Sequence, residues 1–170
     1  SSAASDVYKR QFYEMRREGG KKTLYARNLR TGEYAPKKKV RYASIGATRD
    51  LETAAEKIRA MLAGDDKAAQ LAWTVTADTL LYAANRIPEI ADDVVNVDRG
   101  MRWGFAWEMG PFEGWDAAGV RATVDRMEAE GRTVTPWVKQ MLAAGRESFY
   151  EVIDRTETYW DIGSASPKPV

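Results

Sequence analysis

The sequence contains neither cysteine nor histidine. The first absence excludes disulfides, thiolate zinc sites and a cysteine nucleophile. The second excludes more, because no imidazole can act as a general base, pair with a serine or ligate a metal. A G-x-G-x-x-G turn behind a strand is missing too, so a pyrophosphate has no cradle of the usual kind. No apolar run approaches the roughly 18 residues of a membrane-crossing helix, and no signal-peptide pattern is present. Charge of one sign is lacking as well: 26 basic residues face 25 acidic ones, for a net +1, which argues against a nucleic-acid partner. The expectation is a soluble cytoplasmic chain of 170 residues, one domain with tails, with no histidine- or thiolate-based catalytic or metal site.

What the chain does have is concentrated in Arg102 to Val120, RWGFAWEMGPFEGWDAAGV, which holds three of its six tryptophans and two of its four phenylalanines. Each such ring contributes roughly 1.5–3 kcal/mol when taken out of water, so the stretch is expected to sit in a core or line a pocket. Gly110-Pro111 reads as a helix start with proline at the first position, and Glu113 falls in the first turn, where a carboxylate suits the positive end of the helix dipole. The bland reading is a hydrophobic elbow between helices.

The order of residues goes further than their density. Gly104-Phe105, Trp107, Gly110-Pro111-Phe112-Glu113, Asp116 and Gly119-Val120 together resemble the C-terminal helical domain of NAD-dependent 3-hydroxyacyl-CoA dehydrogenases. Leu80 to Asp98 is similar to the bacterial members that join the dehydrogenase to an enoyl-CoA hydratase. The resemblance implies an all-α fold of five or six helices, like the C-terminal domain of 6-phosphogluconate dehydrogenase, with short β-hairpin appendages at both ends. It also implies that the His-Glu dyad and the NAD site of the parent enzyme lie in a separate domain, so that this piece alone is inactive. Gly114-Trp115 departs from the leucine the family often has after its Gly-Pro-Phe-Glu.

Along the chain, residues 1–11 resemble the translation of a sequencing-library adapter, the alternative being an ordinary disordered tail. Thr23 to Ala26 and Glu33-Tyr34 read as a hairpin, and Lys37 to Lys39 with Arg41 as a solvated basic run, the alternative being a phosphate or CoA-tail contact. Phe12-Tyr13-Glu14, Leu24-Tyr25 and Pro36-Lys37 are echoed by Phe149-Tyr150-Glu151, Tyr159-Trp160 and Pro167-Lys168, which suggests a tandem unit. The expected divisions are therefore 12–43, the tail of a preceding helical copy; 44–148, the helical domain; and 149–170, a second hairpin-like tail. Helices are expected from Thr48 to Ala63, from Asp65-Asp66 through a long, largely buried segment that Pro88 kinks or restarts, from Val120 to Glu130, and from Pro136 to Gly145. Asp92, Asp93 and Asp98 lack the glycine-centred loop of a calcium site and read as a solvated helix face or, at Asp98, a cap. Asn85-Arg86 is offset from the family's substrate-binding Asn-Arg pair, so an inter-helix or surface hydrogen bond is expected of it instead.

The resemblance assigns no catalytic residue here. It places at the substrate or domain interface Trp103, Phe105, Trp107, Gly110, Pro111, Phe112, Trp115 and Asp116, with Phe112 and Trp115 packing and Asp116 either capping a turn or pairing with a base. The partners it implies are the NAD-binding domain, the first helical copy, an acyl-CoA substrate and a second subunit. A non-catalytic interaction module that never meets substrate is the alternative.

Overall fold

The computed structural model describes residues 12–170; the reading of residues 1–11 falls outside them. The chain divides into two compact units, the first ending at Arg41 and the second running from Tyr42 to Val170.

In the first unit, β1 (Tyr13–Glu18), β2 (Lys21–Arg27) and β3 (Tyr34–Pro36) form an antiparallel meander. Gly19 and Gly20 both take positive φ, 56° and 82°, as the two-residue turn that matches strand twist requires. Lys37, Lys38, Lys39 and Arg41 are exposed, and the Lys37 ammonium lies over the Tyr13 ring.

The second unit is helical: α1 (Ala43–Ala47), α2 (Ala54–Leu62), α3 (Lys67–Asn85), α4 (Val94–Phe105), α5 (Pro111–Ala118), α6 (Val120–Ala129) and α7 (Pro136–Ala143). A second antiparallel meander follows, of β4 (Tyr150–Ile153), β5 (Thr156–Asp161) and β6 (Ser166–Pro169). The described residues thus form seven helices with hairpin appendages at both ends. The count exceeds the sequence reading by α1, which precedes Thr48, and the helix expected from Thr48 begins only at Ala54. Thr53 restarts the chain with a capping box: its Oγ1 accepts from the Glu56 N–H at 3.2 Å while the Glu56 carboxylate accepts from the Thr53 N–H at 3.0 Å.

Asp66 caps α3 by accepting from the Ala68 and Ala69 N–H groups, and its other oxygen accepts from the Ser44 N–H, tying α1 to α3. These hydrogen bonds, the Ser44 backbone one first, hold the Asp66 carboxyl down at about 2. The long helix is not buried on most sides, and of the two readings at Pro88 the chain takes the restart, with the next helix beginning at Val94. Helix α3 ends at Asn85, before Pro88, and leaves Leu71, Val75 and Tyr82 exposed. Its inward face is built of Ala69, Trp73, Ala77, Leu80, Ala83 and Ala84, small residues that let other elements approach closely around one tryptophan. Trp73 donates its indole N–H to the Glu130 carboxylate at 2.8 Å, satisfying the one polar atom that its burial would strand. The core is completed by Val94 and Val95 of α4, Phe112 and Trp115 of α5, Val120, Val124 and Met127 of α6, and Val138 and Met141 of α7.

Candidate functional site

The arrangement around the aromatic stretch begins with a missing side chain. Gly110 is the N-cap of α5 and has no side chain with which to satisfy the helix's first amides. Asp98, from the middle of α4, does so in its place: Oδ1 accepts from the Phe112 N–H at 2.8 Å and Oδ2 from the Glu113 N–H at 3.0 Å. Glycine is required for this, because a Cβ at position 110 would lie 2.3 Å from the Asp98 Cβ and 2.4 Å from its Cα. Glu113 completes the start of the helix by accepting from the Gly110 N–H at 2.7 Å and pairing with Arg102 at 2.9 Å. Pro111 occupies the first turn, where its missing N–H costs nothing.

The same carboxylate reaches the second meander. Tyr150 donates its hydroxyl to Asp98 Oδ2 at 2.9 Å, and Asp116, one turn along α5, accepts from the Phe149 and Tyr150 N–H groups at 2.7 and 2.9 Å. Two aspartates on two helices therefore hold one dipeptide. Between them the Phe149 ring is fully buried, 5.0 Å from Phe112, 5.3 Å from Trp115 and 5.7 Å from Trp137, with edge-on packing against Phe112 and Trp137. The indole N–H groups are satisfied, that of Trp115 by Thr123 Oγ1 at 2.7 Å and that of Trp137 by the Ala84 carbonyl at 3.2 Å. Arg146 is buried beneath the hairpin and donates to the Ser148, Phe149 and Thr158 carbonyls.

Burial disfavours charge on both aspartates. It raises the Asp98 carboxyl to about 6 against the pull of its three hydrogen bonds, and the Asp116 carboxyl to about 7, with the nearby Asp98 adding to the rise. Burial and the adjacent Asp98 raise the Tyr150 hydroxyl as well, so it remains a donor.

The other half of the stretch turns outward. Trp103 is 78% and Phe105 72% exposed at the end of α4, and Trp107 is 42% exposed just past the left-handed Ala106 that ends the helix. The eight interface candidates therefore divide. Gly110, Pro111, Phe112, Trp115 and Asp116 build the clamp around Phe149, whereas Trp103, Phe105 and Trp107 face solvent. Asn85 accepts from Thr135 Oγ1 at 3.3 Å, joining α3 to the start of α7, and Arg86 pairs with Glu89 at 2.6 Å.

Of the three acids read as a solvated face or a cap, Asp93 is the N-cap of α4, accepting from the Asn96 N–H at 2.7 Å. Asp98 is only 2% exposed, so the cap reading holds there and the solvated one does not, and the helix it caps is α5 and not its own. Sequence reasoning missed Asp98 and Tyr150 as the centre of the clamp. A polar residue three and four places after the apolar pair Val94-Val95, on the inward face, was the available signal.

The clamp's carboxylates accept from backbone N–H groups and from the Tyr150 hydroxyl, and the sheets of the described residues are three-stranded antiparallel meanders. No helix among the described residues is long and apolar enough to cross a membrane.

The chain is 38% identical over 142 residues to a Bacillus subtilis protein named as a 3-hydroxyacyl-CoA dehydrogenase, a match covering 84% of this chain and 18% of that protein. It is 22% identical over 102 residues to a Rickettsia felis protein named as a fatty acid oxidation complex trifunctional enzyme, covering 60% of this chain and 13% of that one. The chain thus spans less than a fifth of either relative. No family model matches it, and no solved structure does.

Proposed function

We propose that this chain, which belongs to the 3-hydroxyacyl-CoA dehydrogenase family as one segment of such an enzyme, is the helical body on which the NAD-binding part of the full-length protein closes. In that cytoplasmic enzyme of fatty-acid oxidation, NAD would oxidise a 3-hydroxyacyl-CoA to the 3-ketoacyl-CoA. The dyad that takes the hydroxyl proton and the residues that hold NAD would come from elsewhere, since this chain has no histidine and no nucleotide crevice among its described residues. Hydride transfer belongs to the cofactor, and what a helical body adds is orientation and exclusion of water.

The observation that carries this reading is the pair Trp103 and Phe105, large rings left in water at the end of a helix that the Asp98 clamp fixes in place. Exposed aromatics on a rigid support are the kind of anchor that dominates an interface. Phe112 and Trp115 are fully buried, so their part is to hold that end of the body rigid.

Replacing Trp103 and Phe105 together by alanine in the full-length protein is expected to lower kcat/KM for a 3-hydroxyacyl-CoA by roughly tenfold or more, the loss of an anchor of about 2 kcal/mol. The unfolding midpoint of the isolated chain should stay unchanged, because exposed positions contribute little to its fold. Unaltered kinetics would contradict the reading. Because Trp103 and Phe105 stand exposed, where a partner domain can cover them, a module that never meets substrate is the second reading. Photo-crosslinking with an acyl-CoA analogue separates the two: label confined to other parts of the protein removes substrate contact from this segment.

A further inference from the structure

The near-neutral total of the chain conceals two opposite balances. Residues 12–41 carry ten basic side chains against three acidic ones, and residues 42–170 carry fourteen against twenty-one. The change falls at the boundary between the two compact units, so the first meander and the short run after it form a strongly cationic body.

The strand register sorts those charges by face. Side chains alternate along a strand, so directly opposed residues share one side of the sheet. Tyr13 opposes Ala26, Met15 opposes Leu24 and Arg17 opposes Lys22. This face therefore has an apolar middle with two opposed cations near the turn, and the Lys37 ammonium lies over the Tyr13 ring at its other end. Glu14, opposite Tyr25, belongs to the other side, where it pairs with Arg16. Met15 is 59% exposed, and Arg17 and Lys22 are exposed as well. Two cations directly opposed weaken a strand pair, a cost that an anion outside the sheet would relieve.

The second meander shows that the build does not need them. Tyr150 opposes Tyr159 as Tyr13 opposes Ala26, and Thr158 opposes Pro169 as Tyr25 opposes Pro36. Pro36 thus answers to Pro169 and not, as the echo in the sequence suggests, to Pro167. Yet at the step where Met15 faces Leu24, Val152 faces Glu157, and no Arg-Lys pair follows before the turn. The apolar and cationic character of the first face is a property of its surface, independent of the fold's demands.

We propose that this face of the first meander docks on an anionic phospholipid bilayer. Charge complementarity selects an anion, and the layout of the face selects the kind. A single soluble phosphate suits cations that converge on one point, whereas these lie at the two ends of the face, roughly 13 Å apart along the strand. A nucleic-acid strand needs rings to stack on, and Tyr25 is buried while Tyr13 is already covered by Lys37. A bilayer surface offers phosphates spread in a plane with hydrocarbon beneath them, which fits cations around an apolar middle. Leu29 and Val40, 78% and 62% exposed beside Arg30 and Arg41 in sequence, extend the same pattern. The inference is independent of the dehydrogenase reading.

The test is co-sedimentation of the 170-residue chain with vesicles made of equal parts phosphatidylcholine and phosphatidylglycerol. Binding is expected to these vesicles and not to phosphatidylcholine alone, and it should weaken steeply with added salt. Arg17→Glu sets an acid opposite Lys22 and so strengthens the strand pair, yet it should lower vesicle affinity on the order of tenfold. Met15→Asp should also lower it, whereas Lys67→Glu, an equal change of charge at the start of α3, should leave it unchanged. No binding to the anionic vesicles, equal loss in Arg17→Glu and Lys67→Glu, or affinity unaltered by Met15→Asp would overturn the proposal. Tighter binding to a single-stranded oligonucleotide than to the vesicles would overturn it too. The full-length protein should bind the same vesicles with the same response to Arg17→Glu; failure to bind would show the face covered by the rest of the protein and would equally overturn it.

Discussion

Asp98→Ala should destabilise the chain by roughly 3 kcal/mol or more, an outcome readable from denaturant unfolding. The substitution strands the Phe112 and Glu113 N–H groups and the Tyr150 hydroxyl, three donors now satisfied by one carboxylate. Each buried donor left without a partner costs about 1–3 kcal/mol, and relief of the buried charge offsets only part of the sum. Asn at this position keeps the shape and one acceptor and should cost less.

The pH dependence follows from the same carboxylate. In the folded chain Asp98 and Asp116 hold their protons up to about pH 6 and 7. The unfolded chain releases them near the ordinary aspartate value of about 3.9. Between those limits the folded state binds more protons, so its stability falls as pH rises from about 4 to about 7. Wild type should lose on the order of 3 kcal/mol between pH 5 and 8, and Asp98→Asn should flatten that slope. Below about pH 4 the sign reverses, as Asp66 and Asp161, both held near 2 by hydrogen bonds, become protonated. A wild-type stability that climbs steadily from pH 5 to 8 would show that the two acids are not buried as described.

Phe149→Ala should have the other large effect, on the order of 3–5 kcal/mol, because it empties a slot lined by three aromatic rings that cannot collapse onto alanine. It should also loosen the second meander selectively. With the ring gone, the Asp116 bonds to residues 149 and 150 and the Arg146 contacts lose the packing that shields them. Amide exchange in β4 and β5 would then rise above that of α3 and α7. A loss below about 1 kcal/mol, or uniform exchange across the second unit, would mean the ring is not its keystone.

Much of this architecture is legible in residue order, and the exceptions share a cause. Pro111 and Pro136 mark helix starts, and Gly131 and Gly145 lie just beyond helix ends, because those signals are local in backbone conformation. The break between α1 and α2 was also local, in the Thr53-Glu56 capping box, but Thr48 offered a competing start. Asp98 is different: its partners Phe112, Glu113 and Tyr150 are far along the chain, and nothing beside it in sequence shows what it holds. The inner face of α3 was hidden because alanines carry its packing while Leu71 and Val75 face water, the reverse of an assignment weighted by side-chain size. The aromatic stretch was recognisable as the organising segment, yet only the fold shows that its two halves face opposite ways. Tryptophan density alone carries no direction.

In the proposed function, this segment supports a reaction whose chemical groups lie elsewhere in the protein. The most direct measurement is NADH formation from a 3-hydroxyacyl-CoA and NAD, run side by side on the isolated 170-residue chain and on the full-length protein. Turnover by the full-length protein and none by the chain is the expected result; NADH production by the chain alone would contradict it.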